Sequence, residues 1–134
     1  MSPEERDALI AYRLAKARET LDEARVQIDN ELWRLAANRY YFAAFHAVSA
    51  LLNSRDEYPK THKGVRQRFG LLFVTTGQVP ARMSDLLSEL FDLRNSGDYD
   101  DLISVDREMA VRLGPETEEL IEMVKVLIAK PLGQ

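Results

Sequence analysis

Between Pro3 and Pro59 the chain contains neither glycine nor proline. These are the residues that most readily break helices and make tight turns, so a run this long without them favours long helices over strands. Ser2-Pro3-Glu4-Glu5 opens the run as a capping box with proline at the first helical position. Apolar residues then recur at Ile10, Leu14, Ala17, Leu21, Ala24 and Ile28. The alternating spacing of four and three predicts one buried stripe along a first helix. Asp29-Asn30 can end that helix and cap a second, running roughly from Glu31 to Asn53. The second helix carries Trp33, Leu35, Tyr40, Tyr41, Phe42, Phe45, Val48, Leu51 and Leu52, which makes it apolar nearly all round. Such a helix belongs at the centre of a bundle, and the short joint makes the two antiparallel neighbours.

The rest of the chain reads as shorter helices. A third is expected from a cap at Thr61 to Gly77, burying Val65, Phe69, Leu72 and Phe73. A fourth is expected from Pro80 to Arg94-Asn95-Ser96-Gly97, burying Met83, Leu86, Leu87, Leu90 and Phe91. After the loop Asp98-Tyr99-Asp100-Asp101, a last helical region starts near Val105 and kinks or breaks at Gly114-Pro115. The prediction is an all-α, antiparallel bundle of four to five helices with a long N-terminal hairpin, as one domain over 1–134. The second helix has more apolar faces than one small bundle can cover, so a homodimer is expected.

Composition narrows the chemistry. The absence of cysteine excludes disulfides and thiol catalysis and fits a cytoplasmic protein. No apolar run is long enough to span a membrane, and the acidic N-terminus does not read as an export signal. No cofactor and no metal is expected. Two histidines without cysteine argue against structural zinc, and the aspartates at 98, 100 and 101 match no calcium-loop template.

Three segments stand out. Lys60-Thr61-His62-Lys63-Gly64-Val65-Arg66-Gln67-Arg68 holds four fixed positive charges and no acid, in a chain of net charge −4. It lies at a helix start, where free N–H groups favour anions, and Gly64 would let a phosphate approach the backbone. The competing reading is a solvated basic turn. Asn38-Arg39, beside Tyr40 and Tyr41, places polar groups in the most apolar helix; they either face a polar cleft or snorkel to water. Arg94, five residues before Tyr99, is a rigid fork suited to phosphate, or else a cation complementing a helix C-terminus. His46, among Phe45, Ala47 and Val48, reads as a core residue.

Taken in order, Asn38-Arg39-Tyr40-Tyr41-Phe42-Ala43-Ala44-Phe45-His46-Ala47, Lys60-Thr61-His62-Lys63-Gly64-Val65, Leu90-Phe91-Asp92-Leu93-Arg94 and Gly97-Asp98-Tyr99 resemble the small stand-alone HEPN proteins of bacteria and archaea. The resemblance implies a helical bundle, a symmetric dimer, and often a minimal nucleotidyltransferase as partner in a toxin–antitoxin pair. Active members are metal-independent ribonucleases whose motif is Arg, four to six residues, then His. Here Arg94-Asn95 matches the start, but Tyr99 stands five residues after Arg94 and no histidine follows it. Tyrosine, with an ordinary pKa of about 10, is a poor base at neutral pH. Asp98, or His62 from another helix, would have to assist. The resemblance therefore implies a protein that binds RNA, a nucleotide or a nucleotidyltransferase, with Asn38, Arg39, Tyr41, Lys60, Lys63 and Arg66 as contact residues. A ribonuclease acting through Arg94, His62, Asp98 and Tyr99 is the alternative, and a purely structural dimer is a third. Tyr99 is also a candidate, by position, for the tyrosine nucleotidylation that silences some family toxins.

Overall fold

The computed structural model describes residues 1–96 and 105–130. Five α-helices form an antiparallel bundle: α1 (Pro3–Asp29), α2 (Trp33–Asn53), α3 (His62–Phe69), α4 (Ala81–Ser96) and α5 (Arg107–Ala129). A π-helical turn, Gly70–Val74, continues α3. No strand occurs among the described residues.

The N-terminal cap forms as its residues dictate: the Ser2 hydroxyl accepts from the Glu5 N–H at 3.1 Å, with Pro3 at the first helical position. The stripe on α1 buries Ala17, Leu21 and Ala24 completely, while Leu14 and Ile28 pack half-exposed at the rim of the core. The joint differs from the sequence expectation. Glu31 takes a left-handed backbone (φ 59°) and α2 begins at Trp33, with Leu32 at the cap position and no side-chain cap. Asn30 instead turns its amide back to the Val26 carbonyl at 2.8 Å, closing α1.

α2 lies at the centre and packs against α1, α3, α4 and α5. Its small residues let the neighbours approach: Ala36, Ala37, Ala43, Ala44, Ala47 and Ala50 are all buried. Between them Tyr41, Val48, Leu51 and Leu52 fill the core with Phe69, Phe73, Leu87, Leu90, Leu113 and Leu120. Each such aliphatic or aromatic side chain contributes about 1.5–3 kcal/mol on leaving water. A single chain thus covers most of α2, and the helix does not need a partner to bury its length. What stays exposed is Leu32 and Leu35 at its start.

α5 also departs from expectation. It runs unbroken across Pro115. Gly114 makes room there: a Cβ on it would lie 2.8 Å from the Tyr40 hydroxyl oxygen. Ion pairs on the outside join the helices, including Arg25 to Glu118 (2.6 Å) and Arg112 to Glu89 (2.6 Å). Among the described residues no helix is long and apolar enough to cross a membrane.

Candidate functional site

The start of α3 is set by Thr61, whose hydroxyl accepts from the Gly64 N–H at 2.9 Å. This cap fixes His62 as the first residue of the helix. Gly64 serves the same corner, because a Cβ there would meet Thr61 Oγ1 at 3.0 Å and Pro59 Cβ at 3.2 Å. Its missing side chain is used to seat the Tyr58-Pro59 segment, so the space expected for a phosphate is already filled.

His62 is half-buried against a wall of rings from α2 and α4. Its ring centroid lies 4.6 Å from Phe45, 5.6 Å from Tyr41 and 5.8 Å from Phe91. Its Nδ1 shares a short hydrogen bond with the Tyr41 hydroxyl. Tyr41 itself is fully buried. Burial pushes its phenol up to about 12, against the opposing pull of Arg94 and Arg66. For His62 the influences act together: burial first, then the charges of Arg94 and Arg66, hold the imidazole below its ordinary range. The ring is therefore neutral at pH 7. A neutral imidazole bonded at Nδ1 keeps Nε2 as its second nitrogen, a base or an acid depending on which partner carries the shared proton.

Two guanidinium groups flank this pair. Arg66, one turn after His62, stacks on Phe91 with its central carbon 4.1 Å from the ring centroid. Its Nε is buried without a hydrogen-bond partner. Arg94, in the last turn of α4, lies 5.7 Å from the Tyr41 ring and 5.0 Å from the Phe42 ring. Neither makes an ion pair among the described residues, whereas Arg68, two residues from Arg66, binds Glu57. Guanidinium groups beside a neutral imidazole and stacked rings have the chemistry to accept an anion with flat, apolar substituents.

The remaining residues singled out in the sequence are distributed differently. Arg39 reaches Glu23 at 3.3 Å and lies 5.2 Å from the Phe42 ring, on which Arg94 also stacks. Asn38 accepts from Arg39 at 2.8 and 3.2 Å and orients it. Lys63 is exposed, and Lys60 lines a separate shallow pocket with Glu57, Gly64 and Arg68. The structure therefore gathers Tyr41, His62, Arg66 and Arg94, links Arg39 through Phe42, and leaves Lys60 and Lys63 outside. Asp98 and Tyr99 lie outside the described residues. The sequence reading gave no role to the wall formed by Phe42, Phe45 and Phe91. The four-residue spacing of Tyr41 and Phe45 was a signal for it, since both project from one side of α2. Among the described residues no group of three His, Asp or Glu side chains gathers as a metal site.

Comparison with known proteins agrees with this architecture. The family model described as "HEPN domain" matches residues 10–127. A "UPF0332 protein" of Thermotoga maritima is 33% identical over 124 residues, covering 92% of this chain and 94% of its own. In Methanocaldococcus jannaschii, "Putative toxin MJ0605" is 37% identical over 83 residues, 62% of each chain. A second from that organism, "Putative toxin MJ0142", is 29% identical over 97 residues, 72% of this chain and 66% of its own. The matched span takes in every helix that builds the cluster, and the chain belongs to the HEPN family.

Proposed function

We propose that this HEPN protein binds RNA through the Tyr41–His62–Arg66–Arg94 cluster and acts in the cytoplasm as one half of a toxin–antitoxin-like pair. The observation that carries the reading is the pairing state of the cations. Nine of the 18 lysines and arginines pair with acids among the described residues, whereas Arg66 and Arg94 stack on rings beside His62 with no carboxylate on them there. Guanidinium groups left open in this way cradle a phosphate, and the exposed edges of Phe42, Phe45 and Phe91 suit a base or ribose. The toxin names of the two Methanocaldococcus relatives support the setting. A homodimer, and a minimal nucleotidyltransferase as the other half of the pair, belong to the same proposal. The exposed Leu32 and Leu35 at the start of α2 offer an apolar contact for a second copy.

A second reading, metal-independent RNA cleavage, is favoured by one observation. The histidine missing after Arg94 has a counterpart in His62, which bears on the same Tyr41 ring as Arg94. A neutral His62 Nε2 takes the proton of a ribose 2′-hydroxyl, the 2′-oxygen attacks the adjacent phosphorus to form a 2′,3′-cyclic phosphate, and the 5′-oxygen leaves with the bonding pair and takes a proton from water. Arg94 and Arg66 hold the charge that builds on the phosphoryl oxygens.

Incubating purified protein with single-stranded RNA in the presence of a chelator tests both readings. Binding is followed by fluorescence anisotropy and cleavage on gels. Binding that is lost in Arg94→Ala and falls with salt supports the first; products that vanish in His62→Gln add the second. RNA affinity that is absent, or indifferent to Arg94, refutes the proposal.

A further inference from the structure

The Phe42 ring connects the cluster to a second group of cations that the site described above leaves unused. Arg94 stacks against this ring at 5.0 Å and Arg39 at 5.2 Å, so two guanidinium groups from different helices share one aromatic platform. From Arg39 the surface continues along α2 to His46, two turns on and on the same face. The Arg39–Glu23 ion pair, at 3.3 Å, shows which positions of α1 and α2 lie opposite each other. Two turns back along α1 from Glu23 stands Lys16, with Arg13 about one turn further, so both face His46.

Two buried polar atoms there have no hydrogen-bond partner among the described residues. His46 buries its Nδ1 and Arg13 its Nε, each without a hydrogen-bond partner. Arg13 makes no ion pair among the described residues. The acids on this face are Glu19 and Glu23, which engage Lys16 and Arg39 at 3.3 Å each. Those are exposed pairs of small net worth, which an arriving phosphate can replace. Burial, with the charges of Arg13, Lys16 and Arg39, holds the His46 imidazole below its usual range, as an environment lacking a counter-anion would. A buried guanidinium Nε left open among like charges is costly, and a bound anion would offset that cost.

We propose that Arg13, Lys16, Arg39 and His46 form a second phosphate subsite on the α1–α2 face, taken by the backbone of a single-stranded RNA whose neighbouring nucleotide occupies the Arg94 cluster. This rests on the RNA-binding reading above and extends it: the ligand is an oligonucleotide lying across Phe42, and a mononucleotide fills only half the site. The path alternates cations with stacking rings, as single-strand grooves do.

The test uses the full chain and labelled single strands from one to about ten nucleotides, within the site sizes such grooves show. Wild-type affinity rises once the strand is long enough to reach past Phe42. Arg13→Gln and, separately, the exposed-face variant Lys16→Gln remove that rise. Each weakens longer strands roughly fivefold and reduces the salt slope by about 0.7 for every phosphate it ceases to neutralise. Mononucleotide binding is unchanged in both. Arg94→Ala weakens every length. Circular dichroism confirms the fold of each variant, and Lys16→Gln decides the matter if Arg13→Gln does not fold. Length dependence that survives both α1 variants while Arg94→Ala still weakens binding overturns the second subsite alone. An Arg94→Ala variant that binds like wild type overturns the reading beneath it as well. Variants at Arg13 and Lys16 that alter the oligomeric state without altering RNA affinity overturn the subsite in favour of contact with a second copy.

Discussion

Replacing Tyr41 with phenylalanine removes one oxygen from the core of the site, and its consequence is largest in alkali. In the unfolded chain the phenol ionises near 10, whereas burial in the folded chain pushes it up to about 12. Between those values the unfolded state has released a proton that the folded state still holds. The unfolded state therefore binds fewer protons, and stability falls as pH rises. The contribution is fully present below about 10 and is gone above about 12. A difference of that size amounts to on the order of 2–3 kcal/mol. At neutral pH, Tyr41→Phe loses only the hydrogen bond to His62 and costs about 1 kcal/mol. The mutant should therefore start less stable than wild type and become the more stable of the two toward pH 12. Urea denaturation of both proteins at a series of pH values measures this, because ionisation of the other tyrosines, lysines and arginines is common to both and cancels in the difference. A gap between mutant and wild type that stays constant from neutral pH to about 12 would refute the claim that Tyr41 is held neutral by burial.

Other perturbations follow from the same geometry. Thr61→Ala removes the hydroxyl that accepts from Gly64 and should lower stability by about 1 kcal/mol in urea; it should also weaken RNA binding, because the capped helix carries Arg66. On the acid side, His62 and His46 both titrate below their ordinary range, each chiefly through burial. As pH falls below about 6.5 the unfolded chain takes up protons first, so stability drops until the folded histidines also titrate. Urea midpoints across that range should flatten in the His46→Gln, His62→Gln double variant, and an unchanged acid limb would count against burial as the cause. For the homodimer, light scattering of wild type and of Leu32→Asp, Leu35→Asp should show twice the chain mass for the first and a monomer for the second; a monomeric wild type removes the dimer.

The hairpin was legible in the sequence because its information is local. A capping box, a stripe spaced four and three, and a run free of glycine and proline each act within a few turns of α1 and α2. The joint was less legible. Asn30 has the chemistry of an N-cap, but its amide satisfies α1 behind it, and Glu31 absorbs the change of direction in a left-handed conformation. At Gly114-Pro115 the local rule predicts a kink or break. α5 continues because a proline removes only one backbone donor, while side chains on both sides of it, Ala110 and Leu113 before and Leu120 and Ile121 after, are buried and Tyr40 fits over the glycine. Tertiary contact there outweighs a local penalty of about 3 kcal/mol.

The cluster divides along the same line. Within the basic segment the sorting of its charges was available from spacing alone. His62 and Arg66 stand one turn apart and must share a face, while Lys63, about 100° around the helix, must leave it. Treating Lys60, Lys63 and Arg66 as one charge run discarded that phase. The approach of Arg94 to His62 was expected only through the family resemblance, since it depends on how α4 and α3 both seat against α2, and no local pattern encodes that seating. Its agent is Tyr41. The side chain is buried, spans the gap between the two helices, and offers its hydroxyl to the imidazole and its ring to the guanidinium. Tyr41, expected from the sequence as a contact residue, is thus the buried side chain on which His62 and Arg94 both bear. Phenylalanine at position 41 keeps the ring and loses the hydroxyl, so it should preserve the Arg94 side of the site and release His62. Affinity for RNA retained in Tyr41→Phe, with cleavage lost if cleavage occurs, is the outcome this division of labour requires.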